Sequence, residues 1–300
     1  MTRSLPDLAP LDFETDPKGC CARLYESDAV RWLLDDQLHP GGDRLTRRLA
    51  QLAGIERGRR VLDIACGSGA TALLLARELE CEVAGVDLGS RAIEHAVDAA
   101  AAAGLQARAR FVVGDAEKLP FPDAGFDVAL SECSLCTFPD KRRAIGEMAR
   151  VVRPGGTIAI ADVTADLDAL PAQLRSAAAR VACVADARSA DDYASLLRAA
   201  GWEPVAIETH DDELRAMADR VEARLRIARM LAPPGEQRDR AAEASALAGM
   251  AIDAIARGTL GYALIAARRL ASWSDSASSG SSDANRAALG ERICAQLIQA

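Results

Sequence analysis

Val61-Leu62-Asp63-Ile64-Ala65-Cys66-Gly67-Ser68-Gly69-Ala70-Thr71-Ala72 decides how this chain folds. It reads as a short apolar strand, a glycine turn and the start of a helix. The next apolar run closes on Asp87, 24 positions after Asp63. Glycine is required at 67 and 69 because the backbone must turn tightly and lie close to a ligand. A carboxylate at the end of the second strand can accept from both hydroxyls of a ribose. The stretch therefore predicts the nucleoside-binding half of a doubly wound α/β sheet.

Gly67-x-Gly69-x-x-Ala72 also fits the dinucleotide fingerprint, which tolerates alanine in last place. Asp63 separates the two readings. A carboxylate four residues before the first glycine repels a pyrophosphate seated on the turn. It favours a cationic ligand, such as the ammonium and sulfonium of S-adenosylmethionine, over a nicotinamide dinucleotide.

Around this centre the chain alternates. Strands are expected at 60–65, 82–86, 109–113, 126–131 and 157–162, with helices near 70–79, 90–103 and 140–150. That order implies a parallel sheet with helices on both faces. Arg153-Pro154-Gly155-Gly156 reads as the turn into the fifth strand. A sixth strand is expected at 204–209 and a last, antiparallel one at 260–266. A helical insertion at 211–257, broken at Pro233-Pro234-Gly235, separates them. The expected organisation is an N-terminal helical lid over 1–54, a domain over 55–270 and a Ser-rich, mobile tail over 271–300.

The composition narrows the partners. With 300 residues and half of them hydrophobic, the chain can bury a full core. Its 36 basic against 44 acidic residues give a net charge of −8, which argues against nucleic acid and anionic membranes. Met1-Thr2-Arg3-Ser4-Leu5-Pro6 carries no apolar leader, and no run has the length of a membrane span, so a cytoplasmic location is expected. Eight cysteines in an intracellular chain suggest thiols with a task rather than a disulfide framework.

Further motifs complete a pattern: Gly85-Val86-Asp87, Gly114-Asp115-Ala116-Glu117-Lys118-Leu119-Pro120-Phe121, Phe126-Asp127 and Arg150-Val151-Val152-Arg153-Pro154-Gly155-Gly156. With Val61–Gly69 they run in the order and spacing of the class I S-adenosylmethionine-dependent methyltransferases, which the chain resembles over residues 55–210. The resemblance implies a seven-stranded Rossmann-like sheet and S-adenosylmethionine as cofactor. It implies that Asp63, Ala65, Gly67, Ser68 and Gly69 hold the amino-acid end of the donor. Asp87 and Leu88 would hold the ribose, Asp115 and Ala116 would meet the adenine edge, and Ser131 would complete the donor site.

The acceptor side rests on thiols. Ser131-Glu132-Cys133-Ser134-Leu135-Cys136-Thr137-Phe138-Pro139-Asp140-Lys141 follows the fourth strand, where ligands bind in open α/β sheets. Cys133 before Pro139-Asp140-Lys141, and Cys183 opening Cys183-Val184-Ala185-Asp186-Ala187, resemble the arsenite methyltransferases. That resemblance implies thiol-bound trivalent arsenic as acceptor, with Cys133, Cys183, Cys20 and Cys21 as its ligands and glutathione or thioredoxin as reductant. Soft thiolates select a soft acceptor.

Other readings stay open. A small organic acceptor, such as a quinone or a polyketide hydroxyl, would be deprotonated by His39 of His39-Pro40-Gly41-Gly42. Cys133-x-x-Cys136 with Cys20 and Cys21 could form a zinc site. A non-catalytic donor-binding or redox-sensing protein would use the same thiols. Cys66 is expected to be only a small residue tolerated in its turn, and His95 and His210 are expected at the surface.

Overall fold

The structure is a computed structural model describing Lys18, Tyr25 and residues 27–34, 38–175 and 184–271. The tail expected over 271–300 therefore lies outside the described residues from 272 onward.

Seven strands form one sheet: β1 Arg60–Ile64, β2 Glu82–Asp87, β3 Ala109–Val113, β4 Phe126–Glu132, β5 Val152–Ala165, β6 Trp202–Thr209 and β7 Leu260–Arg269. Their spatial order is β3-β2-β1-β4-β5-β7-β6. β1 to β5 pair in parallel, whereas β7 runs antiparallel between β5 and β6, with Ala161 opposite Leu264 and Ile207 opposite Ile265. The doubly wound sheet with an antiparallel last strand is thus the observed one.

Eight helices flank it among the described residues: α1 Asp28–Leu34, α2 Gly42–Leu52, α3 Ala70–Glu78, α4 Ser90–Ala102, α5 Lys141–Val151, α6 Ala190–Ala199, α7 Asp211–Leu231 and α8 Glu236–Ala256. Side chains of a strand alternate between its faces. Val61 accordingly joins a core with Leu45, Leu49, Leu75 and Phe111, while its neighbour Leu62 joins the opposite core with Phe126, Met148, Tyr193 and Trp202. Both faces of the central strands are covered. This is why β1 and β4 read as near-continuous apolar runs rather than as alternating ones.

Local chemistry sets the helix starts. Asp140 caps α5 by accepting from Arg143 N at 3.0 Å, and Ser189 caps α6 by accepting from Asp192 N at 3.1 Å. The insertion is the antiparallel pair α7–α8, parted at Pro233-Pro234-Gly235. Arg224 on α7 donates to the carbonyl of Leu33 at 3.3 Å and also to that of Trp32, satisfying carbonyls at the end of α1.

One expectation fails in its boundary. Arg153-Pro154-Gly155-Gly156 is not a turn before β5 but lies within it, so the strand begins at Val152 rather than 157. The partner strand absorbs the irregularity with a register shift between Phe126 and Val128. Gly155 takes φ 75°, and a Cβ on Gly156 would stand 2.6 Å from the Asp127 carbonyl. The glycines thus carry the strand through a tight passage instead of ending it.

Candidate active site

β1 crosses over to β2 on one side of the sheet and β4 to β5 on the other. The crevice where the crossovers diverge, above the carboxyl ends of β1 and β4, is where such sheets bind ligands. A cavity of about 630 Å³ opens there.

The β1 turn forms its floor. Ala65 and Gly67 have φ 57° and 53°, and the Cys66 amide donates to Val86 O at 3.1 Å. Asp87 is fixed at both oxygens: Gly67 N donates to Oδ2 at 2.9 Å and Gly89 N to Oδ1 at 2.8 Å. Ala65, Gly67, Ser68, Asp87 and Leu88 all line the cavity.

Asp115 and Ala116 line its far end. Asp115 accepts from Glu117 N at 2.9 Å and from the Lys18 ammonium at 2.8 Å, and Lys18 also reaches Glu117 at 2.6 Å. Partial burial works to raise the Asp115 carboxyl. The Lys18 hydrogen bond and charge outweigh it and hold the group below the usual carboxylate range. The two carboxylates in turn hold Lys18 above the usual lysine range, against its own desolvation.

Three residues expected in the donor site lie behind the wall instead. Asp63 is 3% exposed, and among the described residues no hydrogen-bond donor reaches its Oδ2. Burial pushes its carboxyl far up, and the charges of Glu132 and Asp87 push it further, against one backbone hydrogen bond from Ala72. Gly69, at φ 81°, serves packing: a Cβ there would stand 2.8 Å from the Phe111 ring. Ser131 is buried with its hydroxyl 2.5 Å from that of Ser134, which does line the cavity.

Among the expected thiols, Cys133 reaches the cavity. Its amide donates to Ala161 O at 2.7 Å and its Sγ lies 3.6 Å from the hydroxyl of the fully buried Tyr262. Cys136 is 1% exposed in the core, its amide donating to Asp162 at 2.8 Å. The Cys133-x-x-Cys136 thiols are thus divided between cavity and core, and among the described residues no cluster of three metal-ligating groups exists. Cys20, Cys21 and Cys183 lie outside the described residues. Burial, then Asp63 and Asp87, push the Cys66 thiol far above its usual range, which disfavours its thiolate.

The cavity also holds a group that the sequence reading passed over. Glu132, the last residue of β4, has a side chain only 5% exposed. It accepts from Thr46 Oγ1 at 3.0 and 3.2 Å and from Thr71 Oγ1 at 2.6 Å. His39 Nε2 stands 3.8 Å away, and His39 Nδ1 lies 3.3 Å from the Pro40 carbonyl. A carbonyl can only accept, so the ring proton belongs on Nδ1 and the lone pair on Nε2. An acidic residue closing an otherwise apolar strand was the available signal. The two other histidines also depart from expectation. His95 lines the cavity from α4, and His210 is mostly buried at the head of α7.

Among the described residues no helix is long and apolar enough to cross a membrane.

Comparison with known proteins agrees with this geometry. The family described as "Methyltransferase domain" matches residues 55–201. The 27-O-demethylrifamycin SV methyltransferase of Amycolatopsis mediterranei is 38% identical over 170 residues, which are 55% of this chain and 61% of that protein. The match thus spans about three fifths of that relative. The O-methyltransferase cnsE of Penicillium expansum is 33% identical over 232 residues, covering 76% of this chain and 79% of that one. Among solved structures, the [4+2]-cyclase SpnF superposes with a TM-score of 0.70 at 26% identity, over 89% of this chain and 99% of that one. Matched across most of a methyltransferase's length, and with an acidic residue closing β2 beside a glycine turn at the head of the cavity, the chain belongs to the class I S-adenosylmethionine-dependent methyltransferases.

Proposed function

We propose that this enzyme methylates a hydroxyl of a small organic molecule, with His39 as the general base. The observation that carries the reading is the His39 imidazole in the cavity wall, its Nε2 lone pair free of the Pro40 carbonyl that fixes Nδ1. The relatives' names support it, since one is an O-methyltransferase and another is named as a methyltransferase of 27-O-demethylrifamycin SV. The fold alone does not, because a cyclase shares it.

The donor fits the residues present. Ala65, Gly67, Ser68, Asp87, Leu88, Asp115 and Ala116 would hold it along the wall, and the Asp87 carboxylate, fixed at the cavity by the Gly67 and Gly89 amides, suits the hydroxyls of a ribose. S-adenosylmethionine supplies a methyl group on a sulfonium, whose carbon–sulfur electron pair leaves with the sulfur. His39 Nε2 takes the proton of the acceptor hydroxyl, and the cavity walls fix the approach of its oxygen. The thiol-bound arsenic reading has one described thiol at the cavity, Cys133, and no counterpart in the relatives' names.

The test is a methyl-transfer assay with phenolic, quinol and polyketide hydroxyls beside arsenite with glutathione. Transfer to a hydroxyl is expected, with His39→Ala lowering kcat by about 10²–10⁴-fold and leaving donor affinity intact. Transfer to arsenite alone, or full activity in His39→Ala, overturns the proposal.

A further inference from the structure

We infer that Lys141 is a positioning residue for the acceptor, holding the segment after β4 from behind so that Thr137 and Phe138 keep a fixed place in the cavity wall. The inference rests on the reading that a small acceptor enters this cavity beside the donor. It gives the lysine of Pro139-Asp140-Lys141 a task that needs no metalloid.

Cys133, Ser134, Thr137, Phe138 and Pro139 line the cavity, so one short segment makes this part of the wall. Beyond β4 its only regular structure is the helical turn Leu135–Thr137. Such a segment takes its shape from whatever satisfies its backbone. The Cys133 amide donates to Ala161 O, and the Cys136 amide to the buried Asp162. The Thr137 hydroxyl donates back to Ser134 O at 2.7 Å. The carbonyls of Cys136 and Phe138, on either side of Thr137, both accept from Lys141 Nζ, at 2.8 and 3.1 Å.

Neither its burial nor its place in the helix recommends a lysine here. Lys141 is 9% exposed, and burial holds its amine below the usual lysine range. It opens α5, where the partial positive charge of a helix start disfavours a cation. An apolar side chain of the same length would avoid both costs, but it could donate to neither carbonyl. The two carbonyls are therefore what the lysine answers. Lys141 lies outside the cavity lining, so it acts through the segment it holds. The residues assigned to the donor follow β1, β2 and β3 instead, and loss of the lysine should reach the acceptor and spare the donor.

The test is Lys141→Met, which keeps the stem and removes the donors. The acceptor is the phenolic, quinol or polyketide hydroxyl methylated in the assay above. Expected are an acceptor KM raised about tenfold, the scale of two lost hydrogen bonds, with kcat and S-adenosylmethionine Kd within about twofold. Hydrogen exchange with S-adenosylhomocysteine bound should show the amides of 136–138 exchanging about tenfold faster and those of α4 unchanged. An unchanged acceptor KM in the folded variant overturns the inference, as does a change confined to Tm or to donor affinity. If Lys141→Met fails to fold, Lys141→Gln, whose shorter amide cannot span both carbonyls, reads the same split. The exchange readout needs no turnover. If no hydroxyl is methylated, the functional reading fails alone, and exchange at 136–138 still decides for Lys141: unchanged rates overturn its role.

Discussion

Lys18 donates to Asp115 at 2.8 Å across 97 residues of chain, tying the N-terminal part of the molecule to the loop after β3. The Asp115 carboxyl lies below its ordinary range and the Lys18 ammonium above its own, so the pair is charged through the neutral region. A depressed carboxylate contributes stability above its unfolded value and loses it as pH falls through the lower, folded value. Both groups are about a third exposed, so solvent screening keeps the contribution within about 1 kcal/mol. Lys18→Met should weaken donor binding by at most about fivefold, with the gap closing below about pH 4 and in high salt. Calorimetric titrations across pH and ionic strength check this, and a gap independent of both would sink it.

Asp87 anchors the amides of Gly67 and Gly89 as well as facing the cavity. Asp87→Ala should weaken S-adenosylmethionine binding by about 1.5–3 kcal/mol, the scale of hydrogen bonds to a charged group. It should also lower Tm, because two amides lose their acceptor. Unchanged donor affinity in a folded variant would move the ribose site elsewhere.

Cys133 sets its thiol against Tyr262, and serine keeps a hydroxyl for the same partner. Cys133→Ser should retain methyl transfer to a hydroxyl acceptor within about threefold, less than the tenfold that 1.4 kcal/mol brings. Complete loss of activity in the serine variant, with arsenite accepted by the wild type, would restore the metalloid reading.

Asp63 carries a raised carboxyl, chiefly from burial. The folded protein then holds a proton that the unfolded chain releases, so stability falls as pH climbs from the ordinary carboxylate range toward the folded value. Asparagine removes that dependence. Asp63→Asn should melt near the wild type at pH 4 and above it at pH 8, by about 2–4 °C for each kcal/mol recovered. Calorimetric scans at both pH values decide; a variant less stable at pH 8 than at pH 4, relative to wild type, contradicts the burial account.

The sheet was legible because period and punctuation agreed: apolar runs, a glycine turn after β1 and an acid, Asp87, closing β2. The passage of Arg153-Pro154-Gly155-Gly156 through β5 was not, since Pro and Gly ordinarily mark a turn and only the paired strand shows that the register recovers. The cavity wall was readable down to Asp87 and Asp115, whose positions follow from strand ends. The retreat of Asp63 and Ser131 behind it depends on which way each side chain faces at the last turn of a strand. Glu132 escaped because its partners, Thr46 and Thr71, stand 86 and 61 residues away and carry no motif. Cys133 and Cys136 looked like one site in the sequence, and the short helical turn at Leu135–Thr137 separates them.

Ala65 and Cys133 adopt left-handed backbone, at φ 57° and 48°, just past the two strands that part at the crevice. Glycine would take either conformation without a Cβ penalty, whereas these residues each hold roughly 1–3 kcal/mol of tension against the rest of the fold. Heat tolerance and reactivity consequently meet at the same two peptide units. Slackening them with glycine would loosen the lip of the crevice, so a hardier form of this enzyme has to draw its gain from surfaces and loops remote from both.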